Sequence, residues 1–137
     1  MNDEPGEKTR ALLRDSITSF EMLEIFLLLR AAPNMSWTVR TVADRVRVPE
    51  DIVARALESL RAVGLVLAGP PLAAGEYRHG PATAALVAAS EELAADFAER
   101  RAAVLSTMST NAIERLRSGA LSAFADAFVL GSKRKDG

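Results

Sequence analysis

The chain has 137 residues, of which 49% are hydrophobic and 5% aromatic, and its formal net charge is −1. This length predicts one domain, and the near-neutral charge excludes a bulk electrostatic attraction to nucleic acid or to an anionic membrane. The absence of cysteine and the single histidine exclude disulfides and the ordinary zinc sites, so we expect no metal and no cofactor.

The N-terminal sequence predicts a cytoplasmic protein that neither enters nor crosses a membrane. Residues 1–8 are polar and charged and contain Pro5 and Gly6, unlike the basic and then apolar order of a signal peptide. We expect them to be disordered. Apolar runs such as residues 25–29 are far shorter than the roughly 20 residues that a membrane span needs.

The segment from Thr9 to Pro33 predicts one helix, because its apolar residues recur every three or four positions. Proline followed by asparagine marks its end. Between residues 16 and 29 apolar side chains occur on more than one side of the helix. This pattern is typical of a helix that is covered on two faces.

Residues 36–66 predict two short helices joined by a tight turn. Thr38 is expected to cap the first, at about residues 39–46, and Pro49 favours the start of the second. Gly64 is the expected left-handed stop of that second helix. Its inward residues are predicted to be Ile52, Val53, Ala56, Leu57, Leu60 and Val63.

A two-stranded hairpin is predicted to follow. Residues 65–67 and 76–78 have strand-like composition, and the loop at residues 69–75 is rich in glycine and proline. Trp37, the one tryptophan, is expected to pack between the first helix and this hairpin. A ligand pocket at Trp37 is the alternative interpretation.

The C-terminal part of the chain predicts long helices. No strong helix breaker occurs in residues 82–117, and one continuous helix of that length would span about 54 Å. The polar run at residues 106–111, with Asn111 three residues before Glu114, resembles a capping box and would split the segment in two. Both alternatives remain open.

Gly119 is a second point at which the helix is expected to weaken. Residues 120–130 return to helical periodicity. Residues 131–137 are predicted to be a solvated basic tail.

The apolar residues of these C-terminal helices predict self-association. They lie roughly on one stripe, and a long helix without a partner in its own chain would expose a patch that soluble proteins rarely show. We therefore predict a homodimer. The candidate dimerisation residues are Leu86, Leu93, Phe97, Val104, Met108, Phe124 and Phe128.

The pattern L-x-x-L-x-x-x-G-L-V, which begins at Leu57, resembles the end of the recognition helix and the first wing strand of MarR-type bacterial regulators. The resemblance implies a mainly α fold with a winged helix-turn-helix domain at residues 9–80 and a dimerising helical extension at residues 81–130. Residues 123–128 are also similar to the tail of small bacterial winged-helix proteins. The implied function is DNA-binding transcriptional regulation.

The resemblance implies that the second helix of the motif enters a DNA major groove. Residues 37–62 carry five arginines and four acids, a local charge of only +1. The acids would accept from cytosine while arginines contact phosphates. The candidate DNA contacts are Thr38, Arg40, Arg45, Arg47, Glu50, Asp51, Arg55, Glu58 and Arg78.

The same charges support an alternative function, a winged-helix adaptor that binds a protein and not DNA. The second helix of the motif is rich in acids, and the hairpin loop at residues 69–75 carries no lysine or arginine. An enzyme is not indicated, because the sequence contains no nucleophile and base set and no glycine-rich phosphate loop after a strand.

Overall fold

The computed structural model describes residues 3–135, with side chains described from residue 3 to residue 127. Within this range the protein is mainly helical, with six helices and a small antiparallel sheet of three strands. The helices are α1 (Glu7–Asp15), α2 (Phe20–Ala31), α3 (Val39–Val46), α4 (Glu50–Ala62), α5 (Ala84–Glu99) and α6 (Arg101–Lys135). The strands are β1 (Trp37–Thr38), β2 (Val66–Ala68) and β3 (Glu76–His79). None of the helices described is long and apolar enough to cross a membrane.

The start of α1, within the segment predicted to be disordered, contacts α5 through Gly6 and Thr9. Gly6 is the N-cap of α1 and supplies no side chain to it. The carboxylate of Asp96 accepts from the Gly6 N–H over 2.9 Å, and the carboxylate of Glu92 accepts from the Thr9 N–H over 2.7 Å. Because Glu92 and Asp96 lie more than 80 residues after Thr9 and Gly6, no local pattern could indicate that they cap α1.

The single helix predicted for the first long segment is wrong, since α1 and α2 are separate helices. Ile17, in the connection between them, is fully buried. Ser19 then caps α2, and its hydroxyl oxygen accepts from the N–H of Met22 over 3.1 Å. The cluster of serine and threonine at residues 16–19 was the signal of this break.

The two short helices predicted in the middle of the chain are present as α3 and α4. Thr38 caps α3 in a reciprocal capping box with Thr41. Gly64, with φ +85°, follows the last residues of α4. Its N–H donates to the carbonyl of Arg61, and the next N–H, that of Leu65, donates to the carbonyl of Leu60, each over 3.0 Å. This is the glycine-terminated helix end that the sequence predicted.

The sheet joins the predicted hairpin to a third short strand in the order β1-β3-β2. Trp37 in β1 pairs with Tyr77 in β3, and Val66 in β2 pairs with His79. Trp37 is 3% exposed and belongs to the hydrophobic core, which agrees with its interpretation as a packing residue. The hairpin is thus joined through β3 to β1, which precedes α3, and it contacts α4 through β2.

The C-terminal segment forms two helices, but the break lies at Arg100 and not in the polar run at residues 106–111. Arg100 has φ −133° and ψ 47°, outside the helical region. From Arg101 onward α6 continues through the predicted capping box and through Gly119. The backbone of residues 131–135, in the segment predicted to be a solvated basic tail, continues the helix α6. Residues 136–137 lie outside the described range.

A single core includes residues from both the N-terminal and the C-terminal halves of the chain. Phe26 of α2 and Leu57 of α4 are fully buried together with Leu93 of α5 and Val104 of α6. The predicted boundary at residue 80 therefore does not separate two cores. Instead α5 and the first part of α6 complete the core that α2 and α4 begin.

Candidate nucleic-acid interface

The candidate interface begins on α3, whose sequence gives it one apolar and one charged side. Val42 and Ala43 are buried, whereas Arg40, Asp44 and Arg45 are exposed. The Thr38 hydroxyl oxygen accepts from the N–H of Thr41 over 3.1 Å. Thr38 is thus an exposed residue whose hydroxyl is occupied in capping the helix.

Three exposed arginines, which we call the α3 arginines, lie on this helix and at its C-terminal end. They are Arg40, Arg45 and Arg47. None of them forms a salt bridge within the part of the chain that the structure describes, whose ion pairs join other residues. Their guanidinium groups are therefore available to an external anion.

Arg47 occupies a backbone conformation that favours glycine. It is the C-cap of α3, with φ 58° and ψ 47°, and its N–H donates to the carbonyl of Ala43 over 2.8 Å. A left-handed conformation costs a side chain such as arginine about 1–2 kcal/mol relative to the right-handed one. The turn between α3 and α4 thus carries a guanidinium where glycine would be less strained.

The exposed side of α4 carries more acid than base, and its arginines are paired. Arg55 lies 3.6 Å from the carboxylate of Asp51, and Arg61 forms a hydrogen-bonded ion pair with Glu58. That hydrogen bond from Arg61 lowers the pKa of the Glu58 carboxyl. Glu50 is exposed in the first turn, where a negative charge suits the helix dipole. The outer face of α4 therefore presents no free arginine.

The hairpin contributes little charge to this surface. Its loop, residues 69–75, contains no charged residue, and Leu72 within it is buried. Arg78 is partly buried, and its guanidinium donates to the hydroxyl of Ser36 over 3.0 Å. Arg78 thus ties β3 to the segment before β1, and its position differs from that of the freely exposed α3 arginines.

His79, the chain's one histidine, lies at the base of the hairpin beside α2 and α5. Its ring contacts the ring of Phe26 edge to face, with centroids 5.9 Å apart. Burial, and secondarily the positive charge of Arg30, lower the pKa of His79. Arg30 donates to the carboxylate of Glu91 over 2.6 Å and so joins α2 to α5. His79 is therefore a packing residue that favours the neutral form.

The predicted dimerisation residues do not form one surface, which corrects the stripe derived from the sequence. Three of them, Leu93, Val104 and Met108, are buried in the chain's own core. Others are half-buried against that core, namely Leu86 and Phe97. Phe124 is 71% exposed, and the side chain of Phe128 lies outside the described residues.

Two apolar grooves flank Phe20, a side chain that the sequence analysis did not place in any site. One groove, of about 340 Å³, lies between the start of α2 and the middle of α6 and includes Met108 and Ile113. The other, of about 440 Å³, includes Phe97 and Leu105. Phe20 is 52% exposed although most apolar side chains of α2 are buried. The helical spacing of these residues in the sequence did not indicate this exposure.

Among the described residues, no group of three or more histidine, cysteine, aspartate or glutamate side chains is arranged to hold a metal ion. Comparison of the chain with known protein families, with curated proteins and with solved structures finds no match. The function is therefore inferred from the chain's own geometry.

Proposed function

We propose that residues 20–79 form a winged helix-turn-helix and that the protein is a transcriptional regulator that binds double-stranded DNA. The order of elements supports this fold: helix, short strand, two helices joined by a tight turn, and a hairpin whose second strand pairs with the first strand. In proteins of this kind the second helix of the motif, here α4, enters the major groove.

The observation that carries the proposal is the set of α3 arginines. They are exposed and form no salt bridge among the described residues, in a chain whose net charge is −1, and one of them occupies a left-handed position at the turn before α4. Strained residues cluster at functional sites. In the proposed complex their guanidinium groups contact phosphates on either side of the groove that receives α4.

In the proposed complex the acidic side chains of α4 distinguish bases and do not contact phosphates. Glu50 and Asp51 lie in its first turn, the part of a recognition helix that approaches the bases. A carboxylate there accepts a hydrogen bond from the N4 amino group of cytosine and repels phosphate. We therefore assign affinity to the α3 arginines and base discrimination to α4.

A second candidate function is an adaptor that binds a protein through the same fold. The pairing of Arg55 with Asp51 and of Arg61 with Glu58 favours it, because it leaves no free cation on the outer face of α4. The uncharged hairpin loop favours it too. An adaptor of this kind has no affinity for DNA at low salt.

Titration with DNA at several salt concentrations separates the two functions. A DNA-binding protein loses affinity steeply with salt, by a slope of about 0.9 in the logarithm of the binding constant for each phosphate neutralised. Replacing one α3 arginine with alanine is expected to reduce that slope by about this amount for each copy bound. Absence of binding at low salt would exclude the DNA-binding function and leave the adaptor.

A further inference from the structure

The outer part of α6 carries an apolar stripe that nothing in the described chain covers. Ile113, Leu116 and Phe124 are 55%, 75% and 71% exposed, and Ala120 is exposed between them. At 3.6 residues per turn these four residues lie within roughly 80° of the helix circumference. We call these four residues the α6 stripe.

The stripe is continuous with the grooves beside Phe20. Ile113, the first residue of the stripe, also lines the groove of about 340 Å³ on one side of Phe20. The groove of about 440 Å³ on the other side adds Leu23, Phe97 and Leu105. The ring of Phe20, 52% exposed, stands between them. The surface thus combines an apolar ridge on α6 with two apolar grooves.

A helix in this situation needs a partner. Every side chain from residue 112 to residue 127 is exposed, and an isolated helix of about 15 residues is marginally stable in water. With aromatic side chains of about 200 Å² each, the stripe and Phe20 expose on the order of 500 Å² of apolar surface. A stable interface buries about 800 Å² per partner, somewhat more than half of it apolar. The exposed apolar area is therefore close to the apolar area that each partner buries in a stable interface.

The charges around the stripe fit a second copy of the same chain. Residues 109–127 contain two acids and two arginines, so that two such helices approach without net repulsion. Glu21 and Glu24 border the Phe20 grooves, whereas Arg117, which pairs over 3.4 Å with Glu114 of its own helix, lies next to the stripe. Across a twofold axis each copy would offer arginine to the acids of the other.

We propose that the α6 stripe of one copy packs against the Phe20 grooves of a second copy, forming a twofold symmetric dimer. This interface uses residues other than the α3 arginines, so it stands independently of DNA binding. It also assigns the partner to the outer half of α6 and not to Leu93, Val104 and Met108, which the chain buries in itself.

Sedimentation of the full-length chain at tens of micromolar tests the proposal. The wild type is expected to have about twice the chain mass of 14.7 kDa, and Leu116→Glu is expected to have the mass of one chain. Ser118→Glu is the matched control, because Ser118 is exposed on the opposite side of the helix, and it should remain a dimer. Far-ultraviolet circular dichroism at each concentration shows that the variants are folded. A monomeric wild type, or a dimeric Leu116→Glu, would overturn the proposal.

The absence of cysteine allows the contact itself to be trapped. Phe20→Cys and Leu116→Cys are prepared separately, mixed and oxidised, and the disulfide between the two variants is expected to form faster than with Ser118→Cys in place of Leu116→Cys. If Phe20→Cys reacts no faster with Leu116→Cys than with Ser118→Cys, the stripe does not lie on the Phe20 grooves. A DNA titration of Leu116→Glu distinguishes the two proposals, since retained binding by a monomer leaves DNA binding intact.

Discussion

The hydroxyl of Thr9 donates to the carboxylate of Asp96 over 2.6 Å and thereby fastens α1 to α5. Asp96 is 5% exposed and also accepts from the N–H of Gly6 and from the guanidinium of Arg100, over 2.9 and 3.1 Å. The carboxylate of Asp96 thus accepts hydrogen bonds both from the start of α1 and from Arg100, where α5 ends and α6 begins. Three donors compensate the cost of burying it.

Asp96→Ala is expected to reduce the free energy of unfolding by about 2–4 kcal/mol, because buried donors lose a charged acceptor. Urea denaturation measures this change. Glu99→Ala is the control: Glu99 is an exposed acid that pairs with the same arginine, and removing it is expected to cost no more than about 1 kcal/mol. Equal losses in the two variants would show that Asp96 has no special role.

Leu60→Ala tests the inward face of α4. Leu60 is fully buried, and truncating a buried leucine to alanine costs about 2–5 kcal/mol through lost contacts and the cavity left behind. Leu67→Ala, at a side chain that is 37% exposed, should cost clearly less. A loss well under 1 kcal/mol for Leu60→Ala would contradict the described packing of α4.

The pKa of His79 predicts how stability changes with pH. Because burial lowers this pKa below its ordinary value of 6.5, the unfolded chain takes up the proton at a higher pH than the folded chain does. The free energy of unfolding is therefore expected to fall as pH decreases below 6.5, until the folded histidine is protonated as well.

Denaturation of the wild type and of His79→Gln between pH 8 and pH 5.5 checks this dependence, at pH values above the usual titration of about 4.3 for glutamate. His79→Gln should lack this decrease of the free energy of unfolding with decreasing pH. Because the chain has one histidine, its imidazole resonances give the folded pKa directly. A pKa at or above 6.5, or an unchanged slope in His79→Gln, would contradict the environment described for this ring.

Arg47→Gly separates stability from binding at the turn before α4. Glycine adopts the left-handed conformation of this position without steric cost, so the variant is expected to be as stable as the wild type or up to about 1 kcal/mol more stable. Its affinity for DNA is expected to decrease, since one guanidinium is lost. Denaturation and DNA titration of the same preparation measure both effects, and a more stable variant with unchanged affinity would show that Arg47 contacts no phosphate.

The middle of the chain could be predicted because its signals are local. Thr38 caps α3, Pro49 precedes α4, and Gly64 takes the left-handed position that ends it. Each of these residues acts within a few positions of itself in the chain. The inward residues of α4 follow from the same short-range periodicity, and Val53, Leu57 and Leu60 are all buried as expected.

The two ends of the chain could not be predicted, because distant contacts determine them. The sequence around Arg100 contains good helix formers and no glycine or proline, yet the helix breaks there. Asp96, which pairs with Arg100, is held in turn by residues of α1. Leu93, Val104 and Met108, which the sequence placed on the dimerisation stripe, are buried in the chain's own core, whereas Phe20, which it did not, is 52% exposed.

The candidate DNA interface was predictable in part. Exposure of the α3 arginines follows from the helical pattern of Val42 and Ala43. The pairing of Arg55 with Asp51 and of Arg78 with Ser36 does not, since it depends on side-chain geometry and, for Arg78, on the pairing of strands. Of the five arginines among the candidate DNA contacts, Arg55 and Arg78 thus have partners within the described chain, whereas Arg40, Arg45 and Arg47 form no salt bridge there.

Titration of mixed genomic DNA fragments with the full-length chain, repeated over a series of salt concentrations, tests the central proposal most directly. Binding is expected at low salt, with an affinity that falls linearly in the logarithm of salt concentration. Arg45→Ala should weaken binding and reduce the slope by about 0.9 for each copy bound, whereas Arg55→Ala, at an arginine already paired with Asp51, should change the slope less. No binding at the lowest salt, or a slope that Arg45→Ala leaves unchanged, would contradict DNA binding through the α3 arginines.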